Sequence, residues 1–158
     1  MKKLTAKEIL EIIKKADISV DNFAYGDFGA PDDFVGSPEL EERKRIKKEA
    51  LSNLYKKYKE RREDSEYRAL NKAYNEIPSY YKEENEEWLK VSGIGEWEEI
   101  EQYGGEDCGS TWYSIKHFID HDVYIKTTGY YQSHHGTEFY DGYGEEVKPQ
   151  TKTITVYE

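Results

Sequence analysis

The tightest constraint on how this chain can fold is a change of pattern at Gly93-Ile94-Gly95. Before it, apolar residues recur at helical spacing among dense charge. After it, they alternate with polar residues along short runs separated by turn residues. The two periods demand different backbones, because a helix brings every third or fourth residue to one face and a strand every second. The pattern therefore predicts an α+β chain. Helices over residues 1–91 are expected to pack on an acidic antiparallel β-meander of four to five strands in residues 92–158, the two parts of one folded unit by length.

The helical part carries its own start signals. Thr5 and Glu8 form a capping box before an apolar stripe of Ile9, Leu10, Ile12 and Ile13. Ser37-Pro38-Glu39 joins an N-cap serine, a proline at the first helical position and an acidic residue near the positive end of the helix dipole. That helix is expected to reach about Glu60; after a break near Asp64-Ser65 the stripe continues through Tyr67, Leu70 and Tyr74, and Pro78-Ser79 ends it and caps a short helix over residues 80–90. Between the first two helices lies a long Gly-, Pro- and Asp-rich stretch, which Phe23, Phe28 and Phe34 are expected to pin to the core.

The strand candidates are Trp97–Tyr103, Thr111–Ile119, Asp122–Tyr131, Thr137–Val147 and Thr151–Tyr157, the last four joined by short connections. Alternation places Val123, Ile125 and Thr127 on one face of the third strand and Tyr124, Lys126, Thr128 and Tyr130 on the other. In the second strand the aliphatic residues Ile115 and Ile119 go with Tyr113 and His117, which assigns Trp112, Ser114, Lys116 and Phe118 to the outer face.

Aliphatic material is scarce. The chain is 36% apolar, against roughly 45–50% in ordinary globular domains. Fifteen Tyr and three Trp offset this, since each aromatic side chain can bury roughly 150–250 Å². The expected product is a tyrosine-rich core under a highly charged surface. Of the net charge of −10, all but one unit falls in residues 92–158. Acidic charge so concentrated points to a basic partner and argues against direct contact with nucleic acid. The ten Lys and Arg between Glu42 and Arg62 read first as a solvated helix face with interleaved ion pairs. No apolar run reaches the ~18–20 residues of a membrane span. A single cysteine, Cys108, fits a reducing, cytoplasmic setting.

No catalytic signature is present. Cys108 sits beside Glu106 and Asp107, which disfavour a thiolate. His117, His121, His134 and His135 lack a zinc-site context, and the glycines of Val91–Trp97 have neither Rossmann nor P-loop spacing. The expectation is a protein with no cofactor, no metal and no enzymatic activity. His134 and His135 are expected at a turn, with Gly136 in a left-handed position.

The acidic, tyrosine-lined sheet then becomes the candidate binding surface, through Trp112, Phe118, Tyr124, Tyr130, Tyr140, Asp141, Tyr143, Glu145 and Glu146. Spaced carboxylates can imitate a phosphate backbone, and tyrosine rings can take the places of stacked bases. Gly129, Tyr130, Tyr131, Gly136, Thr137, Glu138, Phe139, Glu146, Val147 and Pro149, about 37 residues with their Thr-rich extension, resemble the C-terminal segment of a group of small phage proteins. The resemblance implies a phage accessory protein in the cytoplasm of an infected bacterium. By association it implies an inhibitor of a host-defence protein, such as a CRISPR-type or other anti-phage nuclease with a basic groove. The alternative is a phage structural or assembly protein that acts as a homo-oligomer.

Overall fold

The computed structural model describes residues 2–60, 64–106, 109–132, 134–140 and 142–158. Five α-helices precede an antiparallel sheet in the chain: α1 (Ala6–Lys15), α2 (Val20–Ala24), α3 (Pro38–Lys59), α4 (Asp64–Glu76) and α5 (Tyr81–Ser92). The strands are β1 (Trp97–Tyr103), β2 (Ser110–Phe118), β3 (Val123–Gln132), β4 (Gly136–Phe139) and β5 (Glu145–Val147). The architecture is the α+β arrangement of helices and C-terminal antiparallel sheet. Two compact units divide the chain: Met1–Pro31 with Leu89–Glu158, and Asp32–Trp88.

In the sheet unit the strand order is β1-β2-β3-β4, with β5 also pairing β3. Strands β1 to β4 are consecutive neighbours and form a meander, while β5 returns to β3 and pairs its Tyr124–Lys126 stretch, beyond the part that β4 occupies. The β2–β3 connection is a 3₁₀ turn, Ile119–His121, closed by Asp122 at φ 51°. The next reversal has His134 and His135 in the turn and Gly136 at φ 74°. The stretch expected to be one strand over 137–147 is two, β4 and β5, separated by a turn. Gly144 closes that turn at φ 118°, with its Cα face against the Lys126 carbonyl. The expected strand at 151–157 does not form. Ile154, Val156 and Tyr157 are exposed, and no ladder takes them up. Its Thr-rich alternation has β propensity, but propensity yields no strand without a partner to pack and bond.

Helix α1 uses the capping box: Thr5 Oγ1 accepts from Glu8 N, and Glu8 Oε2 accepts from Thr5 N at 2.8 Å. Its Ile9 and Ile13 are fully buried. Helix α2 lies inside the stretch expected to be a loop. Ser19 caps it, and it places Phe23 and Ala24 at the centre of the core. Phe23 meets Phe28, Phe118 and Tyr143, with ring centroids 5.2, 6.5 and 5.7 Å apart. Phe28 stacks on Trp97 at 4.8 Å.

The core face of β2 is Trp112, Ser114, Lys116 and Phe118, all fully buried, and not the Ile115 face. Register explains the reversal. Phe118 pairs Val123, Lys116 pairs Ile125, Ser114 pairs Thr127 and Trp112 pairs Gly129. Residues directly opposite share a face, so inward Val123, Ile125 and Thr127 carry Phe118, Lys116 and Ser114 inward with them. Lys116 is a core cation. Its Nζ donates to the Ala24 carbonyl at 2.8 Å and to Ser114 Oγ at 2.9 Å, and lies 5.0 Å from the Phe23 ring centroid. Ala24 ends α2, where helix carbonyls lack intrahelical donors, so the ammonium and the Ser114 hydroxyl together cap that end.

Gly129 makes room for this arrangement. A Cβ there would lie 2.5 Å from the Glu138 carbonyl oxygen and 2.6 Å from Thr137 Cγ2. Gly129→Ala should therefore lower stability by about 1–3 kcal/mol, as overpacked core positions do. Urea unfolding checks this, and a change within error would show that the β3–β4 pair yields freely.

The Asp32–Trp88 unit is built on α3, which starts as expected: Ser37 Oγ accepts from Leu40 N, and Pro38 follows. Glu87 accepts from both Ser37 N and Ser37 Oγ. Leu40 and Leu54 are its buried apolar residues. Lys47 donates to the carbonyls of Tyr74 and Ile77 at 2.9 and 2.7 Å, closing the C-terminal end of α4. Phe34 belongs to this unit and is half-buried.

Candidate functional site: the outer face of the sheet

The register that buries Trp112 also defines the opposite face. Across β1, β2 and β3 it carries Glu98 opposite His117, Glu101 opposite Ile115 and Tyr103 opposite Tyr113. It continues with Tyr113 opposite Thr128, Ile115 opposite Lys126 and His117 opposite Tyr124. At its other margin Tyr130 meets Glu138 and Lys126 meets Glu145. This side is half-buried to exposed throughout.

The rings are ordered by their neighbours. Tyr103 stacks on Tyr113 with centroids 5.5 Å apart, and the Lys126 ammonium sits 4.4 Å from the Tyr113 centroid. The Tyr113 hydroxyl donates to Glu101 Oε1 at 2.7 Å. That hydrogen bond, then desolvation, hold the Tyr113 phenol above its ordinary pKa. His117 and Tyr124 stack at 4.1 Å with planes 5° apart, and the His117 ring nitrogens face Glu98 at 3.3 Å and Asp122 at 3.1 Å. The result is an aromatic strip bordered by carboxylates and containing one lysine.

The residues singled out from sequence divide. Tyr124 and Tyr130 lie on this face, Glu145 joins it opposite Lys126, and Tyr140 is exposed at its margin. Glu146 is exposed too, but it pairs Ile125 and so belongs to the other side of the sheet. Trp112 and Phe118 do not belong to it. They are core residues, Trp112 packing against Tyr25 and Phe139 at 5.0 and 5.5 Å, and Phe118 against Phe23. Tyr143 turns inward too: its hydroxyl donates to the Ile18 carbonyl and its ring meets Phe23 edge-on. It anchors the turn, and Thr127 Oγ1 bonds its carbonyl at 2.7 Å. Asp141 lies outside the described residues, as does Cys108. Tyr103, Tyr113, Ile115, His117, Glu98, Glu101 and Glu138 are members that single-strand alternation missed. The signal that could have found them is the β2–β3 hairpin register.

His121 serves the fold. It is buried, Nδ1 accepts from Leu4 N at 2.9 Å, and Nε2–H donates to the Gly93 carbonyl at 2.7 Å, which fixes its tautomer and occupies both nitrogens. His134 and His135 are exposed at their turn. Among the described residues, no three His, Cys, Asp or Glu side chains gather as a metal-holding group. No described helix is long and apolar enough to cross a membrane.

No family model, curated protein or solved structure matches this chain.

Proposed function

We propose that this protein is a non-enzymatic binding protein whose outer sheet face docks on a basic groove of a partner. The observation that carries the reading is the register itself. It sets Glu98, Glu101, Glu138 and Glu145 around Tyr103, Tyr113, Tyr124 and Tyr130 on one face. Tyrosine provides large contact area with few rotatable bonds, and ordered carboxylates provide steering toward positive charge. The excess negative charge of residues 92–158 supports the same direction. With the phage-like texture of residues 122–158, the partner proposed is a host-defence nuclease or effector, which the face would inhibit by standing in for nucleic acid.

The test is capture from a bacterial lysate at 50 and 500 mM NaCl with wild type and a Glu101→Lys, Glu138→Lys, Glu145→Lys variant. Wild type should hold a basic protein at low salt and release it at high salt, and the variant should lose at least about tenfold in affinity. Equal capture by both proteins at low salt would remove the acidic face from the contact. The self-association reading has its own observation, the unpaired apolar side chains of Ile154, Val156 and Tyr157. A concentration-dependent oligomer in light scattering, lost on deleting residues 149–158, would favour it.

A further inference from the structure

Five of the eight cations of α3 are committed. Arg43 pairs with Glu83, Lys44 with Glu84 and Glu41, Arg45 with Glu42 and Glu49, and Lys57 with Glu66. Lys47 is bound to the end of α4. Among the described residues of this helix, Lys48, Lys56 and Lys59 alone have no ion pair or hydrogen bond through the ammonium. All three border one open concavity of about 510 Å³, together with Leu51, Ser52 and Tyr55. A solvated helix face with interleaved pairs does not sort its charges in this way.

The concavity continues. A smaller cavity shares Lys48 and Leu51 with it and adds Tyr74, Tyr80 and Tyr81. Tyr55 and Tyr81 are 60% and 65% exposed, so their ring faces are open to a ligand. Lys48 and Lys59 lie eleven residues apart, about 16 Å along the helix axis. That spacing suits successive phosphates of a chain rather than a single anion. Aromatic rings between lysines are how proteins hold unpaired bases while tracking the backbone electrostatically.

We propose that this α3 groove binds single-stranded nucleic acid, with Lys48, Lys56 and Lys59 on phosphates and Tyr55 stacked on a base. The negative charge of the whole chain does not oppose this, because residues 1–91 are nearly balanced, 19 basic against 20 acidic. The groove lies wholly in the Asp32–Trp88 unit, and its ligand is separate from the protein partner of the sheet face.

Fluorescence anisotropy tests this on the full chain, with labelled dT20 and U20 strands, a DNA duplex and heparin, from 25 to 300 mM NaCl. Saturable single-strand binding is expected, tighter than to duplex. Lys48→Glu, Lys56→Glu, Lys59→Glu together should weaken it at least about tenfold, and the three alanine changes should reduce the salt slope by about 2. Tyr55→Ala should weaken dT20 or U20 several-fold and leave heparin unchanged. The comparison of dT20 with U20 assigns DNA or RNA. No saturable binding at 25 mM NaCl, or equal affinity in the lysine variant, overturns the proposal. So does loss of heparin and dT20 binding alike on Tyr55→Ala. Salt-sensitive self-association that the lysine variant abolishes, without nucleic-acid binding, would instead assign the groove to the acidic face of a second copy.

Discussion

Trp112→Ala is expected to lower stability by about 3–5 kcal/mol, and Tyr124→Ala by no more than about 1 kcal/mol. Sequence alternation alone ranks the two residues together, on one outer face. The structure separates them. Trp112 is 1% exposed and forms a three-ring cluster with Tyr25 and Phe139. That cluster closes the end of the sheet where β4 pairs β3, and Tyr25 reaches Thr137 Oγ1 through its hydroxyl. Removing the indole leaves a cavity that neither β3, whose opposing residue is Gly129, nor the hydrogen-bonded strands can collapse to fill. Tyr124 is half-buried on the other side, stacked on the His117 ring and opposite Val147 at the β5 edge. Urea unfolding with an unchanged slope checks both values. Equal, small losses would mean that Trp112 faces outward and that the candidate binding face has to be redrawn.

Much of this fold is written in local chemistry. Thr5 with Glu8, and Ser37 with Pro38, announce two helices because caps are short-range interactions between neighbours. The inward side of β3 follows from Val123 and Ile125. The inward side of β2 does not follow from its own alternation, because Ile115 and Ile119 compete with Trp112 and Phe118 for the core. The aromatic pair prevails for a non-local reason: pairing across the Ile119–Asp122 reversal puts Phe118 beside Val123. That register was legible in the length of the turn, and applying it moves the candidate site to Tyr103, Tyr113, His117 and Tyr124. Helix α2 escaped because five residues in a Gly- and Asp-rich stretch show no period; Ser19 before Val20 was its one signal. The Thr-rich segment 151–157 shows the opposite error, strong strand propensity with no edge to join. Nothing in a sequence window marks Lys116 as buried. Its place depends on a carbonyl 92 residues away.

Lys116→Met should stabilise the protein at pH 7 by about 1–3 kcal/mol, and the gain should fade as the pH rises. Desolvation depresses the Lys116 ammonium from 10.5 to about 8, with the charge of Glu99 acting weakly the other way. The folded-state pKa is thus below the unfolded one, so between about pH 8 and 10.5 the unfolded chain binds more protons. Stability from this group therefore rises with pH through that window. Below it, both states are protonated and the folded state carries the full cost of a buried charge, about 3 kcal/mol for a depression of this size. Methionine has similar length and no charge to bury. It also strands no partner, because Ser114 Oγ still donates to the Ala24 carbonyl at 3.0 Å. Tyrosines titrating at high pH act on both proteins alike, so the difference between variant and wild type isolates this lysine. Thermal or urea unfolding of both at pH 7, 8.5 and 10 should give a difference that shrinks stepwise. A variant less stable than wild type at pH 7, by an amount independent of pH, would show instead that the ammonium's two hydrogen bonds at the end of α2 outweigh the cost of burying it.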